Sequence, residues 1–152
     1  MSIKHVSVIA AAAAALTVFA APLATAGPQQ HGAQPATSSR LLSADGRLHV
    51  YTQPYGGGRT CSWVGNADTW GSCRNLVSDI WNNGYPGGND AVDLYWGVNA
   101  TGAHACLSQG DRWPDLINDP QHFTYGAGQG GFGQSLNNNV SSHRWVDYCS
   151  QG

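Results

Sequence analysis

Beyond residue 26 no segment of this chain keeps a helical apolar period for three turns. Its apolar residues come instead in short runs cut by Gly, Asn, Asp and Pro. Leu48-His49-Val50-Tyr51 alternates, and so does Val92-Asp93-Leu94-Tyr95-Trp96, with Val92, Leu94 and Trp96 on one face. Thr60 to Val64, Ala103 to Leu107, His122 to Tyr125 and Arg144 to Cys149 are further strand candidates. Tyr55-Gly56-Gly57-Gly58, Asn82-Asn83-Gly84, Pro86 to Asp90 and Gly126 to Gly133 punctuate them. Short β-branched or aromatic runs bounded by such turn clusters specify an all-β sandwich or barrel. One helical turn is expected at Asp115 to Asn118, between Pro114 and Pro120. Strand position assigns Trp81, Trp96 and Trp145 to the core and leaves Trp63, Trp70 and Trp113 freer.

The start of the chain reads as an address. Lys4 precedes an apolar run from Val6 to Ala21, and Ala24-Thr25-Ala26 is a small-x-small cleavage site. This is the three-part pattern of a secretory signal peptide, expected over residues 1–26. Pro22 ends the run short of the roughly 20 apolar residues of a membrane span. Residues 27–40 carry no aromatic and no apolar periodicity, so they read as a flexible lead. Residues 41–152 form the folded unit. The expectation is a secreted, extracellular, monomeric protein with no membrane contact after cleavage. With 7 Lys and Arg against 9 acidic residues, all Asp, the chain lacks the basic surplus that nucleic acid requires.

The four cysteines, Cys61, Cys73, Cys106 and Cys149, fit that address. An even count in an exported chain implies two disulfides, and their spacing matches no zinc-finger pattern. Four cysteines allow three pairings. An internal echo selects one of them. Leu48 to Tyr51 corresponds to Val92 to Tyr95; a cysteine follows each after a Gly-containing turn, and then Trp70 and Trp113. Asn75 to Trp81 closes the first half, Asn137 to Trp145 the second, with extra residues in the second around Asp115 to Gly133. If each half closes on itself, Cys61 pairs with Cys73 and Cys106 with Cys149. Loop entropy makes each bond worth about 3–4 kcal/mol.

These residues resemble a known family. Tyr51 to Gly57, then Cys61, then Asn75-x-x-Ser78-x-Ile80-Trp81-Asn82 is similar to the first half of the secreted actinobacterial peptidase inhibitor family I36. Leu94-Tyr95, Gly102, Cys106-Leu107, Gly128-Gln129-Gly130 and Asn137 to Ser142 resemble its second half. The resemblance implies two Greek-key motifs packed as a small βγ-crystallin-like sandwich. It implies a proteinaceous inhibitor of an extracellular peptidase, of the metallopeptidase class first, and no enzyme. In such a hairpin the paired glycines take positive φ where the strand folds over, and a later Ser hydrogen-bonds the turn. Ala100-Thr101 stand where an aromatic would precede Gly102, so the second hairpin is expected to be less regular.

Three kinds of site follow. In calcium-binding βγ-crystallins a motif matched here by Asn137, Asn138, Ser141 and Ser142 supplies oxygen ligands. That match has no carboxylate, and Arg74 stands where the first half needs an oxygen, so any calcium would be held weakly. No other cofactor is expected. Val64 to Ser72 lies between Cys61 and Cys73, and its Val64, Asn66, Asp68 and Trp70 form the candidate inhibitory loop. A plain connecting loop is the alternative. Six Trp and six Tyr also fit a carbohydrate-binding module, and a stable structural protein is the remaining alternative. No His-Glu-x-x-His or Gly-x-Ser-x-Gly motif supports catalysis.

Overall fold

A computed structural model of the chain describes residues 43–149. The expected signal peptide, lead and final residues lie outside the described residues. Seven strands form: β1 (Arg47–Gln53), β2 (Gly57–Trp63), β3 (Asp79–Asn83), β4 (Ala91–Tyr95), β5 (His104–Leu107), β6 (Arg112–Trp113) and β7 (Ser142–Val146). Among the described residues the helical content is three three-residue 3-10 turns, and no helix is long and apolar enough to cross a membrane.

Two antiparallel sheets hold these strands, in the orders β2-β1-β3-β6 and β5-β4-β7. In each half the last strand returns to lie beside the first: Val50 faces Ile80 as Leu94 faces His143. This is Greek-key connectivity, met twice. The third segment of each half crosses to the other sheet. Trp113 pairs with Ile80, and Ala67 bridges His143. Each half therefore completes its partner's sheet, and neither closes a core alone. The all-β class, the paired Greek keys and the two disulfides are all present.

The core lies between the sheets. Leu48, Val50 and Ile80 meet Val92, Leu94, Ala105 and Leu107, each buried by the period-two alternation of its strand. The longer second-half connection is packed as well, supplying Leu116, Phe123, Leu136 and Val140. Asp115 Oδ1 accepts the Ile117 and Asn118 N–H groups, and the Asp119 N–H bonds the Asp115 carbonyl, so the expected turn forms. These donors hold the Asp115 carboxyl below its ordinary range, the Asn118 side chain most of all.

Several expectations are corrected. His122 to Tyr125 is not a strand, because only single-residue bridges link His122 to Ser135 and Tyr125 to His104. The last strand begins at Ser142 rather than Arg144 and ends at Val146. Beyond it, Asp147 bends away to accept the Asn89 N–H, and Cys149 is tied to Cys106. The echo also has a different register. Trp70 and Leu116 are the true counterparts, since their N–H groups bond the Ser141 and Ser78 carbonyls.

Both disulfides join the expected partners, Cys61 with Cys73 and Cys106 with Cys149. They are not symmetry mates. Cys61 faces Val50 and packs against the core, whereas Cys106 faces Asp93 across the outer side of its sheet. Two disulfides in so small a domain fit an oxidising compartment.

Candidate functional site

The two folded hairpins fix the geometry around the candidate residues. In the first, Tyr55 and Gly56 take φ of 56° and 79°; in the second, Asn99 and Ala100 both take 55°. The second hairpin is therefore as sharply folded as the first, with Ala100 rather than Gly102 opposite Gly56. Left-handed backbone at a residue bearing a Cβ is costly, so something must hold it. Ser142 does so in the second half: its Oγ accepts the Ala100 N–H at 3.1 Å and donates to the Gly97 carbonyl at 2.6 Å. The first half uses Asp79, not Ser78. The Gly56 N–H donates to Asp79 Oδ2 at 2.6 Å, and Arg112 from β6 spans both carboxylate oxygens at 3.0 and 2.5 Å. Asp79 is wholly buried. The Asp79 hydrogen bond holds the Arg112 guanidinium above its usual range, and that guanidinium lies over the Tyr51 and Trp81 rings.

The four calcium-motif residues do not converge. Asn137 Oδ1 accepts the Ser78 hydroxyl at 2.7 Å. The Asn138 backbone N–H bonds the Val77 carbonyl. Ser141 Oγ accepts from Arg74 Nε at 3.1 Å and donates to Asn75 Oδ1 at 3.0 Å. Ser142 belongs to the hairpin corner. Motifs from opposite halves thus meet in two places: one holds neutral oxygens and the other a guanidinium. Neither offers a carboxylate, since that of Asp79 is taken by Arg112. Neutral oxygens and a guanidinium are a weak ligand set for calcium, which favours several hard, charged oxygens.

The Val64–Ser72 segment behaves differently. It leaves β2 and runs along the edge of the second sheet, beside β7. Gly65 O accepts His143 Nε2–H and Trp145 Nε1–H, each at 2.8 Å. Asn66 Oδ1 accepts the Trp145 N–H at 2.8 Å. Ala67 and His143 exchange both backbone bonds, and Trp70 N–H reaches Ser141 O. Asp68 pairs with Arg144 on the surface and accepts the Asn99 N–H on its carbonyl. Val64, Asn66 and Asp68 remain exposed, Val64 at 69%. Trp70 is the exception among the four candidates. It is 1% exposed and turned inward, so it anchors the strap instead of presenting it.

The anchor is a buried aromatic cluster. Trp70 stacks on Trp63 at 5.3 Å and donates its Nε1–H to His143 Nδ1 at 2.8 Å. His143 is thereby fixed as the neutral tautomer with its hydrogen on Nε2, which donates to Gly65. Burial pushes its pKa down to about 4. An unfolded chain takes up that proton near 6.5, so the unfolded state binds more protons between these values. Stability is therefore full above about pH 6.5 and falls by about 3 kcal/mol as pH drops towards 4. Urea unfolding at about pH 7.5 and about pH 4.5 measures this. His143→Gln flattens the profile, and an equally steep fall in that variant contradicts the assignment.

The remaining aromatics are redistributed. Trp96 lies just beyond β4, 39% exposed, over a glycine floor: a Cβ on Gly131 would sit 2.3 Å from its ring. Trp81 is half-buried on the outer face, stacked on His49. Trp145 is half-buried against the core, and Trp63 and Trp113 also pack there. The expected core positions fail for Trp81, which lies in β3 but on its outer face, and for Trp96, which lies beyond β4, while Trp63, Trp70 and Trp113, read as freer, all pack in or against the core. On the outer face of the second sheet His104 sits between Tyr95 and Tyr125, at 5.0 and 5.1 Å. Its Nε2 is 3.9 Å from Asp93, whose pKa is raised by burial. That distance is too long for a hydrogen bond.

No protein-family model matches the chain, and no curated protein matches it. Its coordinates are similar to a domain solved to trace the evolution of the eye-lens βγ-crystallin fold, at 16% identity and TM-score 0.49 over 70% of this chain and 90% of that one. A βγ-crystallin from Ciona intestinalis is similar at 14% identity and TM-score 0.46, covering 66% and 99%. An archaeal βγ-crystallin gives 17% and 0.46, covering 66% and 96%. These likenesses concern the fold and give no residue a role.

Proposed function

We propose that this chain is an exported, monomeric inhibitor of an extracellular peptidase, with the strap from Val64 to Ser72 as its contact segment. The observation that carries this reading is a segment both exposed and immobilised. A peptidase cleft takes a protruding segment with one side chain seated in a specificity pocket. Affinity is retained when the segment is already in that shape before binding. The Cys61–Cys73 bond closes the strap, its bonds to His143, Trp145 and Ser141 hold its backbone, and Trp70 plugs it into the core. Val64 is the one exposed aliphatic side chain on it, suited to an apolar pocket. Calcium has no part in this reading.

Titration of the purified protein against a thermolysin-like metallopeptidase and a subtilisin-like serine peptidase tests it. The expected result is stoichiometric loss of activity of the metallopeptidase, with any slow cleavage mapped by mass spectrometry between Val64 and Ser72. Full activity of both enzymes at excess protein contradicts the reading.

A further inference from the structure

Beside the strap lies a cleft of about 310 Å³, within the size range of small-ligand sites. Two aromatic side chains, Tyr85 and Trp145, line it, with glycine backbone and Asn89 between them. Both rings are seated against glycines. A Cβ on Gly84 would lie 2.5 Å from the Trp145 ring, and one on Gly46 would lie 2.6 Å from the Tyr85 ring. The indole is fixed further by its Nε1–H bond to Gly65 O. The loop carrying Tyr85 is tied down as well: Gly84 O accepts from Gln109, and the Asn89 N–H donates to Asp147. Tyr85 is nonetheless 65% exposed, so much of its ring stays accessible to a ligand.

We infer that this cleft binds a neutral pyranose unit of a polysaccharide. The lining carries no basic side chain, which disfavours phosphate and carboxylate ligands. A sugar ring presents a face of C–H groups that an aromatic face attracts, and a rim of hydroxyls that need both donors and acceptors. Fixed rings supply the first. The Asn89 side-chain amide, with its NH₂ and its carbonyl, supplies the second, together with peptide groups that no Cβ shields. A proline-rich peptide also seeks aromatic grooves, but it calls on few side-chain hydrogen bonds. The amide beside the rings therefore favours the sugar. This site is independent of the inhibitor reading, although the two share Gly65.

The test is retention of the purified protein on insoluble cellulose, chitin, xylan and starch, then titration with the matching hexasaccharides while Trp emission is recorded. A hexaproline peptide forms a parallel arm. Binding to at least one glycan with a change in emission is expected. Tyr85→Ala, on an exposed side chain, weakens that binding by about tenfold or more while leaving the melting temperature unchanged. Val64→Asp leaves it intact, which separates this site from the inhibitory strap. Absence of binding to all four glycans at about 1 mM overturns the inference. So does Tyr85-dependent binding of hexaproline alone, or glycan binding indifferent to Tyr85→Ala.

Discussion

Replacing Trp70 by alanine is expected to lower the unfolding free energy by about 3–5 kcal/mol. The indole is 1% exposed, stacked on Trp63, and bonded through Nε1 to His143 Nδ1. Truncation opens a cavity where the strap, β2 and β7 meet, and it leaves the Nδ1 acceptor buried without a donor. A domain stable by about 5–15 kcal/mol loses a large share of that margin. Trp70→Phe keeps most of the volume and loses the hydrogen bond, so its cost is about 1–3 kcal/mol. Urea unfolding measures both. A cost below about 1 kcal/mol for the alanine variant contradicts the core role of Trp70.

The second large effect falls on Asp79. Asp79→Ala removes the partner of Arg112 and the acceptor of the Gly56 N–H together. Breaking a buried ion pair from one side costs about 3–5 kcal/mol, and the low end applies because Arg112 is 34% exposed and regains some water. The other half of the molecule indicates the repair. There Ser142 holds the equivalent corner without any ion pair. The double variant Asp79→Ser, Arg112→Met is expected to recover more than half of the loss. Equal instability in the single and double variants contradicts the pairing as the cause.

The parts of this fold legible in the sequence were those with local cause. Alternation at Leu48 to Tyr51 and at Val92 to Tyr95 located β1 and β4. Both disulfide pairings were reached too, but from the premise that each half closes on itself, which the exchanged segments overturn. β3 was read only as a closing motif. Its Asp79 and Asn82 are wholly buried, and their partners are distant in sequence: Arg112 for the carboxylate, and the Asp90 and Leu107 carbonyls for the amide. Burial that depends on such long-range bonds leaves no period to read. The echo misled at Trp70 because it matched tryptophan to tryptophan, whereas the fold matches Trp70 to Leu116. The strap was marked by its flanking cysteines. The inward turn of Trp70 depends on a histidine in another strand, and the Tyr85–Trp145 cleft depends on glycines from three separate segments. A count of aromatics carries no such information.

The central claim is that Val64, at the head of an immobilised strap, is what a peptidase engages. The most direct measurement compares the inhibition constant and the melting temperature of wild type and Val64→Asp. Val64 is 69% exposed, so the melting temperature is expected to stay within the small range typical of surface changes. The inhibition constant is expected to rise by about 100-fold or more, the effect of placing a carboxylate in an apolar specificity pocket. An unchanged inhibition constant with an unchanged melting temperature would contradict the account.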